Sequence, residues 1–398
     1  MRLQPQSFLM AVLLTVLVSV APLSTDMYLP ALPAIGQFFQ ADAAQVQLTL
    51  SVYLIGFAGG QLIMGPLSDR FGRRPVLIAG LIIFLISSIA CFLAGSIVAL
   101  MTARLFQAVG ACAGTAISRA MVRDIHGTQN AARLLAHMGT AMATAPLVGP
   151  LIGGQLTASY GWQSNFVVLA GIAAILLLLS VFTLPETHTQ PDLLALSARR
   201  MGLNYKVLAE HREFRNFTLS NAFGFAGLFA FISGSSFVLI DGFGLGPKAF
   251  GFAFGLVVLG YMTGTQVSVR LSRKMALKNV VGLGGRIGLI AGIGGLLTVL
   301  IAPPSIFTVI VPMFCYNIAV GFIMPNTMAG AIGPFPHMAG AASALMGFVQ
   351  MTMAALSGAL VGYLYDGTPV PMMAVICACG ILSWLFTRRV ERRALNTV

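Results

Sequence analysis

The sequence predicts an all-α membrane protein, with twelve transmembrane helices in two pseudo-symmetric six-helix bundles and both termini cytoplasmic. Three observations predict it. The 398 residues are 57% apolar and 9% charged, with a mean hydropathy of +0.89, whereas soluble domains carry about 25% charged residues. Apolar runs of about 18 residues or more, each enough to cross a hydrocarbon core of ~30 Å, recur along the whole length. Basic residues gather in alternate loops, which sets orientation.

Taken in order, the first span runs from about Ser7 to Leu29. It is too long for a signal peptide and lacks the small-residue cleavage pattern, so it is expected to be retained. The remaining spans are expected at 45–67, 76–95, 97–121, 132–158, 163–184, 216–240, 250–271, 280–302, 305–330, 337–364 and 369–387. With the N-terminus inside, Lys248 is the sole basic residue of the outer loops, while Arg104, Arg119 and Arg286 fall within spans. The rest of the 23 Lys and Arg, including Arg2, Arg133, Arg392 and Arg393, then face the cytoplasm. The hydrophilic stretch from His188 to Arg215 contains an amphipathic portion (Leu203, Tyr205, Val207, Leu208) that reads as a surface helix on the inner leaflet. It divides the chain into an N-terminal bundle (1–187), a cytoplasmic linker (188–215) and a C-terminal bundle (216–398). An ungapped comparison of the halves sets Arg70, Arg73 and Arg74 against Arg270, Arg273 and Lys274. Such internal repetition is a mark of transporters that bind cargo between their halves.

The net charge of +12 is spread over short loops rather than one polar face, which argues against nucleic acid as a partner. The five cysteines lie in apolar stretches, so they read as small packing residues and no disulfide framework is implied. No His-Glu-x-x-His occurs, and the five histidines (His126, His137, His188, His211, His337) fall in inner loops or near inner span ends. A membrane-embedded enzyme therefore lacks a visible constellation. No Gly-x-x-x-x-Gly-Lys-[Ser/Thr] run is present either, so no ATP site is expected.

Of the eleven acids, Asp26 alone lies in an uncharged apolar setting, a few residues short of the outer boundary. An ionised carboxylate there costs a few kcal/mol, so it must face a cavity, pair with a cation or bind a proton. A cap on the outer end of the first span near Pro30 and Pro33 is the plainer alternative. Arg104 is expected at a similar depth and near Asp26, with Gln107 one turn deeper on the same face. This pair reads either as a proton-coupling site or as a static buried ion pair. At the inner side, the apolar run of the second span is expected to stop at Gly65-Pro66, leaving a charged latch with Asp69, Arg70, Gly72, Arg73 and Arg74. A contact from Arg73 to Asp124 is geometrically reasonable; two solvated loop charges are the other reading. Asp69 is expected to face the start of the eleventh span near Pro336-His337, and Arg119 to snorkel to the inner surface.

Gly65-Pro-Leu-Ser-Asp69-Arg70-Phe-Gly72-Arg73-Arg74 resembles the signature loop of the major facilitator superfamily. Arg104-Leu-Phe-Gln107-Ala-Val-Gly110 resembles the fourth-span motif of its proton-coupled members. Ala145-Pro-Leu-Val-Gly149-Pro150-Leu-Ile-Gly153-Gly154 is similar to the fifth-span motif of its antiporters, with Ala145 where glycine is usual. Ser24-Thr-Asp26-Met-Tyr28-Leu-Pro30-Ala-Leu-Pro33 and Phe335-Pro-His337-Met-Ala-Gly340 narrow the resemblance to the Bcr/CflA branch of drug/proton antiporters. The resemblance implies Asp26 and Arg104 in coupling, and gating by the 65–74 loop with Asp124. Gly149, Pro150, Gly153 and Gly154 permit close helix packing and a bend, which serves either packing alone or sealing of the pathway.

The second half offers Asn221, Phe225 and Phe229 on the seventh span, Asn317 and Met324 on the tenth and Gln350 on the eleventh. With Asp26, Tyr28, Arg104 and Gln107 they form the expected substrate-binding set. Aromatic stripes also serve as core or lipid-facing surface; lining a cavity, they suit a lipophilic ligand of variable shape. The expectation is therefore a monomeric proton-driven exporter of lipophilic drug-like compounds in the bacterial inner membrane, surrounded by lipid and with the proton gradient in place of a cofactor. A proton-coupled transporter of a metabolite such as a nucleoside is the alternative.

Overall fold

Short polar caps and single special backbones punctuate a chain of long apolar helices. The computed structural model describes residues 4, 6–188 and 190–395, with the side chains of 128–130, 132, 133, 136, 137, 140, 141, 143 and 392–395 excepted. The readings for Arg2, Arg133, His137, Arg392 and Arg393 lie outside that description. The helices are α1 (Phe8–Asp26), α2 (Leu32–Phe39), α3 (Ala43–Phe71), α4 (Arg73–Phe92), α5 (Ile97–Tyr160), α6 (Gln163–Thr183), α7 (Ala198–Glu210), α8 (Arg212–Ser236), α9 (Pro247–Leu271), α10 (Leu277–Ile301), α11 (Ile306–Ile332), α12 (Ala339–Leu364) and α13 (Val370–Leu395). Ser7, Asp42, Ser96 and Ser305 accept from the third backbone N–H beyond them, which fixes where α1, α3, α5 and α11 begin.

Among the described residues, eleven helices are long and apolar enough to cross a membrane. The span expected at 132–158 falls in the second arm of α5, where many side chains lie outside the description. Three boundaries differ from the sequence reading. The first span does not stop at Leu29: the chain passes through a tight turn at Leu29–Ala31 and continues helically as α2, so the span covers Phe8–Phe39. Asp26 consequently sits well inside it rather than at its end. The second span does not stop at Gly65-Pro66; α3 carries Pro66 internally and runs to Phe71. The break is Gly72, whose φ of 95° suits a residue without Cβ, so Asp69 and Arg70 belong to a helix and not to a loop. Finally, the fourth and fifth spans are joined by a kink and not by a long loop: two helices, the arms of α5, meet at Gly127, whose backbone (φ 68°, ψ 170°) is non-helical.

Most of the helix pairings recur in both halves, the α8–α13 packing excepted. α3 and α4 pack on α5, as α9 and α10 pack on α11; α4 pairs with α6 as α10 pairs with α13. α1 pairs with α5 as α8 pairs with α12. The register of the repeat differs from the one the basic residues suggested. α3 begins at Ala43 and α9 at Pro247, while Gly56, Gly60 and Gly80 have Gly260, Gly264 and Gly284 as counterparts, each pressed against the neighbouring helix. Arg70 therefore falls opposite Lys274, four residues beyond the expected match. Backbone contact, which demands glycine, holds the register, whereas loop charges drift.

Two interfaces join the halves: α3 against α12, and the second arm of α5 against α9. Linker helix α7 caps one end of the bundle, touching α12 and α8. This is the end that carries the basic loops, and it is called the basic end below.

Candidate substrate and coupling site

Arg104 is among the largest fully buried side chains of the described residues. Its Nη1 donates to the Ser24 carbonyl (3.0 Å) and to Gln107 Oε1 (2.6 Å), and Gln107 Nε2 passes the network on to Ser88 Oγ at 2.8 Å. The guanidinium carbon lies 4.5 Å from the Tyr28 ring centre, 4.3 Å from that of Tyr53 and 5.9 Å from that of Phe166. A planar, weakly hydrated cation suits such a box, and a desolvated contact of this type contributes about 2 kcal/mol. The rings are themselves fixed: Tyr53 Oη is 2.5 Å from Ser24 Oγ, and Tyr28 Oη is 2.7 Å from Thr49 Oγ1. The i,i+3 placement of Gln107 agrees with the sequence reading. Tyr53 had gone unremarked, because nothing in its position along α3 shows which way it faces.

Asp26 is not paired with Arg104. Among the described residues its Oδ1 has only Thr25 Oγ1 at 3.4 Å, and its Oδ2 is buried with no partner. Arg104 instead engages the backbone of Ser24, two residues away. Similar depth in the membrane was sufficient to predict the neighbourhood but not the direction in which either side chain points.

Asp26 packs against the glycine face of α5. A methyl group at Gly149 would lie 2.8 Å from Asp26 Cβ, one at Gly153 would overlap the Met27 carbonyl oxygen, and one at Gly154 would overlap the Pro247 carbonyl oxygen. One seam of small residues thus lets the second arm of α5 touch α1 and α9 at once, joining both halves at the end opposite the basic loops. Pro150 continues it, its carbonyl oxygen lying 2.8 Å from where a Gly251 Cβ would be. Nearby, Ser236 Oγ donates to the Leu29 carbonyl (2.7 Å) and Ser233 Oγ to Gln47 Oε1 (2.8 Å), both across the halves. That end is closed.

The second-half residues expected to bind cargo are dispersed. Asn221 is buried and donates to Thr327 Oγ1 at 2.9 Å. Asn317 is buried and donates to its own helix at Met313. Phe225 and Phe229 lie 6.4 Å apart on α8, while Met324 on α11 and Gln350 on α12 are half-buried. None of the ten residues of the expected substrate set lines the principal cavity.

That cavity, about 470 Å³, lies at the basic end. Its walls come from α3 (Phe57, Gln61, Gly65, Asp69), α5 (Cys112, Thr115, Arg119, Arg123), the turn before α12 (His337, Met338), the start of α12 (Ser343) and α7 (Asn204, Tyr205). Asp69 and His337 face the same space from opposite halves with no bond between them. Around its rim Arg73 bridges Asp69, Ser68 Oγ (2.6 Å) and Asp124 (2.9 Å). The Arg73–Asp124 contact is thus present, and Arg70 is exposed, its guanidinium carbon 5.4 Å from the Phe71 ring centre. Glu186, which the sequence left without a role, completes the cluster. Its carboxylate accepts from the backbone N–H groups of Arg73 (3.0 Å), Arg74 (3.1 Å), Thr187 (2.9 Å) and His188 (2.9 Å). It caps α4, where the helix dipole favours an anion. All these latch contacts stay within the first half.

The chain matches the family described as Major Facilitator Superfamily over residues 14–359. It is 33% identical over 382 residues to the uncharacterized MFS-type transporter YdgK of Bacillus subtilis (strain 168), covering 94% of each chain. It is 27% identical to a bicyclomycin resistance protein homolog of Haemophilus influenzae, covering 97% of this chain and 96% of that one. To a chloramphenicol resistance protein of Pseudomonas aeruginosa it is 31% identical, covering 82% and 77%. Among solved structures, the xylose transporter XylE from E. coli, in a partially occluded inward-open conformation, superposes with a TM-score of 0.74 at 15% identity, covering 96% and 97%. A bacterial homolog of the human lysosomal transporter Spinster superposes at 0.73, also at 15% identity, covering 98% of each chain; at such identity these two structures support the fold alone. Taken with the helical architecture and the basic-end motif, these matches identify the chain as a transporter of the major facilitator superfamily, in its Bcr/CflA drug-efflux branch, and a multi-pass protein of the bacterial inner membrane.

Proposed function

We propose that the protein exports lipophilic antimicrobial compounds in exchange for protons, by alternating access between two six-span bundles whose termini face the cytoplasm. The observation that carries the reading is Asp26: a buried carboxyl inside the first span, with one oxygen unpartnered, set against the seam that closes one end of the pathway. An acid at that depth must be paired, hydrated or protonated, and among the described residues no cation pairs with it. In the proposed cycle the cavity at the basic end takes up cargo while the opposite end is closed. The halves then rock about the α3–α12 and α5–α9 interfaces, the seam parts, cargo leaves, and Asp26 takes a proton from the outer side. Closure of the seam returns it to the inner side. Arg104 holds the carbonyl of Ser24 and so fixes the turn of α1 from which Asp26 projects. The proton gradient drives the cycle.

The expected outcome is that purified protein releases protons when a transported drug is added, and that Asp26→Asn abolishes the release. A drug-susceptibility screen in cells without their own pumps identifies such a drug, and Asp26→Asn should return those cells to the sensitivity of the empty host. Coupling that persisted in Asp26→Asn would end the proposed role of Asp26.

A further inference from the structure

The cavity at the basic end has an imbalance of charge that the gating cluster does not absorb. Four arginines contribute to its wall: Arg73, Arg119, Arg123 and Arg200. Arg73 is taken up by Asp69 and Asp124, and Arg200 by Asp192 at 2.7 Å. Among the described residues these three carboxylates are the only acids on the wall. Arg123 sits outermost, its guanidinium exposed and its Nε 3.4 Å from the Arg119 carbonyl. Arg119 lies one turn deeper, half-buried, and the single hydrogen bond of its guanidinium among the described residues is from Nη2 to the thioether of Met142, at 3.0 Å. A thioether is a weak acceptor, and a guanidinium that cannot discharge needs an anion or water. The sequence reading had Arg119 snorkelling to the surface; instead it lines the space between the halves, on the same wall as Thr115 and Cys112. Gln61 lines that space too, from α3, with no hydrogen-bond partner of its own among the described residues. The remaining surface mixes apolar or small residues, Phe57, Ala116, Met338, Ala341 and Ala344, with the polar side chains of Asn204, Tyr205, His337 and Ser343.

We propose that Arg119 is the cargo-recognition residue of this cavity, and that the cargo it selects is a lipophilic compound bearing one carboxylate. The apolar patch formed by Phe57, Ala116, Met338, Ala341 and Ala344 takes the body of the molecule. The Arg119 guanidinium takes the carboxylate in a charge-assisted, two-pronged contact. Gln61, on the facing wall, supplies a neutral donor to a second acceptor. This selection rests on the export reading above, since it assigns the cavity to cargo, but it makes no use of proton coupling.

Nalidixic acid, a lipophilic aromatic carboxylic acid, and its ethyl ester are suitable probes. Binding is measured by equilibrium dialysis on purified protein in nanodiscs, without a proton gradient and against empty nanodiscs. The acid should bind at least about ten-fold tighter than the ester, the least a charge-assisted bond is expected to give. Arg119→Gln should erase that preference while leaving ester binding unchanged, and Arg119→Lys should keep part of it. Arg123→Gln, on the same wall, should leave the preference intact, which separates a directed contact from the general positive field. Unchanged elution on size exclusion and an unchanged melting point show that the variants are folded. Equal binding of acid and ester, failure to bind either, or a preference that survives Arg119→Gln overturns the proposal. Because the assay is blind to coupling, loss of proton exchange in Asp26→Asn with the preference intact would uphold both readings. A parent that binds the acid selectively but releases no protons would sink the antiport reading alone.

Discussion

Arg104 shows how much a single buried cation reveals and how much it conceals. Its rarity in an apolar run marks it, and its depth places it beside the first span. Which acceptor it takes depends on rotation about the helix axis, which a sequence with few charges does not record. Hence Gln107 was legible at i,i+3, whereas the choice of the Ser24 carbonyl over the Asp26 carboxylate was not. Arg104→Lys keeps the charge but loses the planar face between Tyr28 and Tyr53, so drug transport into everted vesicles should fall by about ten-fold or more. Glu186 concerns stability instead. Glu186→Ala uncaps α4 and should cost about 1–2 kcal/mol, read as a lower melting point, with Glu186→Gln intermediate because it retains an acceptor.

The helix seams operate at the scale of whole elements. Gly149, Gly153 and Gly154 are legible as close-packing residues from their spacing alone, but their partners, α1 on one side and α9 on the other, emerge only from the packing. Gly153→Leu places a side chain into the Met27 carbonyl, so the closed end cannot form. Transport should be lost while the protein still reaches the membrane, as judged by its amount in vesicles against the parent. The latch offers the contrasting lesson. The Arg73–Asp124 contact was legible because opposite charges at one membrane level have few alternatives, but the pairing of Asp69 with Arg73 was not, and the helix running on to Phe71 was hidden by Pro66. Proline inside a membrane helix is tolerated where neighbours cover the freed carbonyl, so it is a poor stop signal there.

For the molecule as a whole, the halves meet at the end opposite the basic loops and part at the basic end. The all-helical membrane fold was legible from hydropathy; the cavity was not, because small residues such as Thr115, Ala116 and Ser343 line it and carry no pattern. Ala116→Cys in a variant lacking the five native cysteines tests both geometry and orientation. A membrane-impermeant maleimide should label it in everted vesicles and leave it unlabelled in intact cells. The reverse result would invert the proposed topology.

Gly127 gives the assembly one further property. The arm of α5 that bears Arg104 and the arm that bears the glycine seam are two helices that follow one another directly across a kink, with Gly127 as the swivel between them. A change in the angle between the arms therefore falls on a single backbone joint. The swivel residue has φ 68° and open space around it, so what it tolerates is set by backbone torsion and not by crowding. Gly127→Ala would stiffen the joint, and the toll should fall on the rate at which the two ends exchange rather than on how tightly either state holds its cargo.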